Sequence, residues 1–511
     1  MDFTVHDLDT FLLVGSAVTL IAILAVRVSS RAGLPSLLLY LLMGVALGEA
    51  GLGCTVRDSF LPCIEFEGAQ LANALGFAAL AIILAEGGLT TSWQEVRSSM
   101  RLGALLATLG VALSTTVVAV GAHFLLDIPW ELAVLLGAVT SSTDAAAVFS
   151  VLRVVPLPRR LSGTLEAESG LNDAPAIVVV TLISSGAFDD HGVLGAAGIV
   201  AWELAVGVAA GLAFGFGGAW LLRRAALPAS GLYPIAVLCL TLLAYGGAAA
   251  AHASGFAAVY VAALVLGNSE LPHRVTTRSF AEGVAGLAQI GLFVMLGLLL
   301  SPERITLTTV GYAVAAGLIL TFVARPLSVV ACAVPFKLPW QEQAFLSWAG
   351  LRGAVPIVLA TIPLSQGVDG AERLFDLVFV LVVIYTLLTG PTLPLVARLL
   401  RVARRSEPRG LDLEAAPLDR VAADMLQVSI SPVSKLHGVE IGELRLPVGA
   451  SVSMIIRDGE TIVPERRTVL RHGDDLLVVT PRRLREQTEQ RLRQVSTTGR
   501  LGLWIDRPDA R

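Results

Sequence analysis

From Leu8 to Leu400, stretches of roughly 18 or more weakly charged residues recur, and each could cross a bilayer of about 30 Å as a helix. That feature leaves few folds open, because lipid leaves no backbone polar group a partner outside its own helix or closed barrel. Composition agrees: 15% of the 511 residues are charged and 55% are apolar, where a soluble chain would carry about 25% charge. After Arg401 the sequence turns polar, so one membrane domain and one smaller soluble domain are expected. The formal net charge of −4 gives no sign of a nucleic-acid partner. Asp2, His6, Asp7 and Asp9 flank the first apolar run where a cleavable leader would be basic, so this run is expected to be the first span.

The spans fall near 9–26, 34–49, 68–88, 101–125, 130–151, 161–184, 193–222, 230–250, 254–268, 278–300, 306–333, 341–364 and 375–400, about thirteen in all. Loop charge fixes their direction. With the N-terminus outside, one set of loops holds Arg27, Arg31, Arg97, Arg101, Arg153, Arg159, Arg160, Arg223, Arg224, Arg274, Arg278, Lys337, Arg398, Arg401, Arg404 and Arg405; the other holds Arg57, Arg304 and Arg373. The positive-inside rule then places the C-terminal domain in the cytoplasm and the N-terminus in the periplasm of a bacterial-type inner membrane. An odd count suits two inverted six-span halves joined by span 7, which pairs span 5 with span 12. Both look interrupted, by Thr140-Ser141-Ser142-Thr143-Asp144 and by Gly350-Leu351-Arg352-Gly353-Ala354-Val355-Pro356. Interrupted helices at matching positions mark a substrate site at the midplane.

Ionisable residues inside spans are costly and suggest function. Five stand out: Glu86 in span 3, Asp144 in span 5, Glu168 and Asp173 in span 6, and Arg352 in span 12. Burial favours the protonated form of a carboxyl, so Asp173 can take up a proton near neutral pH. Its oxygens are equally good ligands for a hard cation, and competition for one group, with alternating access, is sufficient for antiport. Asp144 can ligate the ion or cap freed amides. Ser169 lies one turn before Asp173 on the same face, as ligand or as a small helix contact. Arg352 needs an acidic partner; Glu168 is the expected one, as a structural pair. Glu86 either joins that network or sits beside the ion. Cys239 and Cys332 lie in apolar runs and read as packing residues. Cys54 and Cys63 share a short loop and are either a disulfide or two free thiols.

Together these residues resemble the cation/proton antiporter superfamily, in its NhaP-type sodium- or potassium-proton branch. The resemblance rests on Thr143-Asp144, Glu168-Ser169, Asn172-Asp173, Glu86 and Arg352, and covers about the first 400 residues. It implies an all-α polytopic fold of thirteen helices with inverted repeats and crossed discontinuous helices 5 and 12, a homodimer, and an ion site at the positions of Asp173, Asp144, Ser169 and the Thr143 backbone. It also implies an acid–arginine pair at Glu168 and Arg352. The Asn172-Asp173 form is associated with electroneutral exchange. Ala145 replaces the proline that commonly follows the span 5 aspartate, which points to the potassium-proton subgroup, with Na+/H+ exchange as the alternative. A cation channel would need a filter such as Thr-Val-Gly-Tyr-Gly, which the sequence lacks.

The expected domains are 1–402 (membrane), 403–422 (linker), 423–483 (soluble, α+β) and 484–511 (a tail, helical then disordered). Strand-like runs cover Met425–Ile430, Ser451–Ile456 and Leu476–Val479, with a short helix over Lys435–Leu444. This part resembles the TrkA-C, or RCK-C, subdomain of potassium-uptake regulators, which implies a dimerising or small-ligand-binding regulatory module. No Gly-x-Gly-x-x-Gly fingerprint precedes it, so no nucleotide cofactor is expected. Nor is an enzyme expected.

Overall fold

The computed structural model describes residues 5–32, 36–48, 68–143, 157–403, 411–418, 423–431, 434–457 and 459–499. It divides into two compact units, Met1–Ala403 and Arg404–Arg511. Asp144, Cys54 and Cys63 lie outside the described residues.

The first unit is helical. Its elements are α1 (Val5–Ala32), α2 (Ser36–Leu47), α3 (Ala69–Thr90), α4 (Met100–Leu126), α5 (Trp130–Ser141), α6 (Arg159–Ser184), α7 (Ala187–Ala225), α8 (Leu232–Ala250), α9 (Gly255–Asn268), α10 (Arg274–Leu298), α11 (Leu307–Phe336), α12 (Trp340–Trp348), α13 (Ala354–Gln366) and α14 (Ala371–Leu399). Among the described residues, seven helices are both long and apolar enough to cross a membrane: α3, α4, α8, α10, α11, α14 and the stretch Leu194–Ala225 of α7. The 26-residue α6 is absent from that set. The residues that make it polar are those of the site below.

Packing sorts the helices into two groups. α1, α2, α3, α7, α8, α9 and α10 pack chiefly on one another, and so do α4, α5, α6, α11, α12, α13 and α14. Small residues bring helices close within a group. A Cβ at Gly207 would lie 2.5 Å from the Ser254 carbonyl oxygen, and one at Gly211 would lie 2.6 Å from that of Ala258, so α7 rests directly on the α9 backbone. α3, α9 and α10 then face α6 and α13 across the seam between the groups.

Two helices of the second group contain π turns, Leu106–Gly110 in α4 and Leu320–Ala324 in α11. The second immediately precedes Arg325-Pro326 and absorbs the proline, which has no N–H and crowds the preceding turn. Spans 4 and 11 correspond under the same pairing that matches 5 with 12. The two helices touch each other near these turns: Ser114 Oγ donates to Ser328 Oγ at 3.1 Å, and Cys332 Sγ lies 3.6 Å from the Leu105 carbonyl oxygen. Cys332 is thus a packing residue, but Cys239 is exposed on the outer surface of α8. Its neighbours Val237, Leu238 and Leu240 pack on the core while Cys239 itself points outward.

The second unit holds a five-stranded antiparallel sheet of order β1-β2-β5-β3-β4. The strands are β1 (Leu411–Leu418), β2 (Ala423–Ile430), β3 (Ser451–Arg457), β4 (Glu460–Ile462) and β5 (Asp475–Pro481). Side chains alternate, as a one-sided sheet requires: Leu476 and Val478 of β5 face Val428 and Leu426 of β2 in the core. Helix α15 (Arg485–Thr498) adds Leu492 and Val495 to that core. Lys435–Leu444 forms turns and a 3-10 turn at Ile441–Glu443 rather than the expected short helix. Its apolar residues Leu436, Val439 and Leu444 are anchored in the core without helical periodicity.

Candidate functional site

The segment Glu166-Ala167-Glu168-Ser169-Gly170-Leu171-Asn172-Asp173 is one continuous piece of α6. Helical periodicity places 166, 169, 170 and 173 on one face. Those residues line a cavity of about 100 Å³ in the seam between the two helix groups. The opposite wall comes from Glu86 and Thr91 at the end of α3, Tyr260 of α9 and Gln289 of α10, and Thr143, Ala354 and Val355 complete it. Half of the site thus belongs to each group.

Asp173 is 4% exposed and accepts a hydrogen bond from Ser142 Oγ. Next to it, Asn172 Nδ2 donates to Thr143 Oγ1 at 2.6 Å. α6 therefore grips Ser142 and Thr143, the two residues that follow α5. Ser169 Oγ donates back to the Leu165 carbonyl at 3.0 Å, which leaves its lone pairs for the cavity.

Span 12 breaks between Trp348 and Ala354, where Gly353 has a non-helical backbone (φ −109°, ψ −134°). Arg352 sits in this break. Its Nη1 donates to the Ser141 carbonyl at 2.6 Å and to the Ser142 carbonyl, so a guanidinium closes the C-terminal end of α5. Cation and helix dipole are matched there, and orphan carbonyls are satisfied. Thr386 Oγ1 of α14 donates to the Arg352 carbonyl at 2.8 Å and holds the break in place.

The expected Glu168–Arg352 pair is therefore corrected. Glu168 pairs with Arg325 of α11 in a two-pronged arrangement, with Nη2 to Oε2 at 2.9 Å and Nη1 to Oε1. Glu168 lies on the other face of α6 from Asp173 and points away from the cavity toward α11, while Arg352 is occupied by the end of α5.

Of the expected ion-site residues, the structure brings Asp173, Ser169, Thr143 and Glu86 to one cavity. Asn172 reaches Thr143 from the adjoining face. Sequence reasoning missed Glu166, Tyr260, Gln289 and Arg325. Glu166 had a signal in its spacing of three and seven residues from Ser169 and Asp173, and Arg325 had one as a charge inside span 11. Among the described residues, no group of three or more His, Cys, Asp or Glu suited to holding a metal ion is present. A monovalent cation here would be cargo held by oxygens.

Residues 16–399 match the sodium/hydrogen exchanger transmembrane family, and residues 425–493 match the TrkA-C domain. The chain belongs to the sodium/hydrogen exchanger family. This exchanger is 34% identical over 477 residues to the K(+)/H(+) antiporter NhaP of Alkalimonas amylolytica, covering 92% of the chain and 81% of that relative. It is 35% identical over 482 residues to the K(+)/H(+) antiporter NhaP2 of Shewanella sp. strain ANA-3, covering 93% and 81%. The Na(+)/H(+) antiporter NhaH of Halobacillus aidingensis is 28% identical over 427 residues, covering 78% and 99%. In fold, the exchanger is similar to the sodium proton antiporter MjNhaP1 of Methanocaldococcus jannaschii, with a TM-score of 0.62 at 20% identity, covering 77% of this chain and 99% of that one.

Proposed function

We propose that this exchanger carries out secondary antiport of a monovalent cation for H+, with K+ as the main cation and Asp173 as the group both ions share. The observation that carries the reading is the position of Asp173: a buried carboxylate on a cavity at the seam between two helix groups, beside the broken ends of α5 and α13. Ser169 and Thr143 supply further oxygens, with Asp144 and Glu86 as additional ligands. Asn172, tied to Thr143, positions the end of α5 and does not titrate. One carboxylate passing between proton and cation gives electroneutral exchange. The names of the NhaP and NhaP2 relatives support K+; that of NhaH keeps Na+ as the second reading.

The same reading places the chain in a bacterial inner membrane as a homodimer, N-terminus periplasmic, with the TrkA-C domain in the cytoplasm answering to a small ligand. Proton flux in everted vesicles, followed by a pH-sensitive dye with K+ and Na+ added separately, tests it. Asp173→Ala should abolish the signal for both ions, and Cys239→Ala, on the outer face of α8, should leave it unchanged. Exchange that survives Asp173→Ala would defeat the reading.

A further inference from the structure

The cavity that holds Asp173 continues past it to a second carboxylate, Glu166, two turns nearer the N-terminal end of α6. Seven residues of helix place the two about 10.5 Å apart along the axis and on one face. Glu166 forms no ion pair among the described residues, unlike its neighbour Glu168. Its polar company is Thr91, whose hydroxyl donates to the Gly87 carbonyl at 2.7 Å, with a second acid, Glu95, near it.

A second observation is independent of the acid. Tyr260 reaches the cavity from α9, is 3% exposed, and its Oη has no hydrogen-bond partner of normal geometry among the described residues. Glu166 and Thr91 are its polar neighbours. A buried phenol oxygen without a bond is costly unless something occupies the space before it. Its setting is built for it: a Cβ at Gly170 would lie 2.3 Å from the Tyr260 ring, so this ring lies flush against α6 between Glu166 and Asp173. A carboxylate, a phenol and a threonine hydroxyl, all oxygens and none cationic, suit a hard cation. The cavity has room for such an ion with several waters.

We propose that Glu166, Tyr260 and Thr91 form a second monovalent-cation site, distinct from the one at Asp173, where the ion waits before or after its exchange. On the loop-charge orientation this is the cytoplasmic side of Asp173. The proposal rests on the antiport reading above, and the experiment separates the two.

Purified full-length protein in detergent is melted in KCl and in choline chloride of equal ionic strength. Asp173→Asn should keep part of the K+-dependent rise in Tm, and Asp173→Asn with Glu166→Gln should lose it. In vesicles, Glu166→Gln should raise the KM for K+ about tenfold, the equivalent of ~1.4 kcal/mol, with Glu166→Asp recovering most of it. Tyr260→Phe, which keeps the ring, should raise KM by a smaller factor. The second site is excluded if Asp173→Asn alone removes all K+-dependent stabilisation. It is excluded too if Glu166→Gln and Tyr260→Phe fold normally with KM unchanged. Exchange persisting in Asp173→Asn would instead overturn the antiport reading.

Discussion

Glu168 and Arg325 face each other across α6 and α11 with both side chains out of solvent, 1% and 4% exposed. The pair ties the helix that lines the cavity to the helix with the proline-linked π turn. Removing one member of such a pair leaves a buried charge without compensation, at a cost of about 3–5 kcal/mol. Glu168→Gln and Arg325→Met are each expected to lower the melting temperature sharply, and the double variant to lower it less than the sum. Thermal unfolding in detergent checks this; strictly additive losses would show that the pair is not coupled.

Arg352 is predicted to act through the end of α5. Hydrogen bonds from a charged donor contribute about 1.5–3 kcal/mol each. Arg352→Ala should therefore free the carbonyls of Ser141 and Ser142 and fray α5 from its C-terminal end. Hydrogen exchange measured by mass spectrometry should rise first in peptides covering residues 136–143, with Arg352→Lys intermediate. A uniform rise along the chain would argue for a purely global effect.

Gly170→Ala puts a methyl into the Tyr260 ring. Overpacking of this kind costs about 1–3 kcal/mol. Tyr260→Ala lowers stability by itself through the lost ring, but in that background Gly170→Ala should cost little, whereas in Tyr260→Phe it should cost nearly as much as in the parent, because the contact includes the ring carbon Cζ as well as the hydroxyl. A double-mutant cycle on melting temperature measures the coupling.

In the soluble unit, burial alone would push the Asp474 carboxyl up. Bonds from Arg457 Nε and Nη2, both 2.8 Å, and from the Arg471 amide at 2.8 Å outweigh it and hold the group below the usual carboxylate range. A group depressed in this way stabilises the folded state above the unfolded value near 3.9 and ceases to do so as pH falls through its own lower value. Hydrogen exchange in β3 and in the turn before β5 should therefore be flat from neutral pH down to about pH 4 after correction for intrinsic rates, and rise only below it. Asp474→Asn should remove that acid-side step and weaken the unit at neutral pH.

The apolar helices were legible because hydrophobic length is a property of the chain alone. The break at Arg352 was legible too, since glycines, a proline and a charge interrupt an apolar run. Which acid meets which arginine was not legible. Periodicity puts Glu168 on a face but does not name the helix opposite, and Arg325 was passed over inside an otherwise apolar span. Glu166 stood in plain sight, yet only the approach of α3 and α9 turns its face into a cavity wall. In the soluble unit, β1 falls in the stretch expected to be linker: Leu411–Leu418 shows little of the alternation that marks β5, and its place is fixed by pairing with β2. The family assignment, by contrast, needed few residues, because Glu86, Thr143-Asp144, Glu168-Ser169, Asn172-Asp173 and Arg352 already stood at telling positions.

The π turns of α4 and α11 carry one residue more than an α-helical path over the same rise. In an unbroken spanning helix, gaining or losing one residue rotates everything beyond it by about 100° and turns lipid-facing side chains inward. These two helices instead hold a slack position, where such a length change can be taken up locally. Shortening α11 by one residue at Leu320–Ala324 would tighten it to regular pitch and leave Arg325 turned toward Glu168. A deletion of the same size elsewhere in the helix would swing the arginine away.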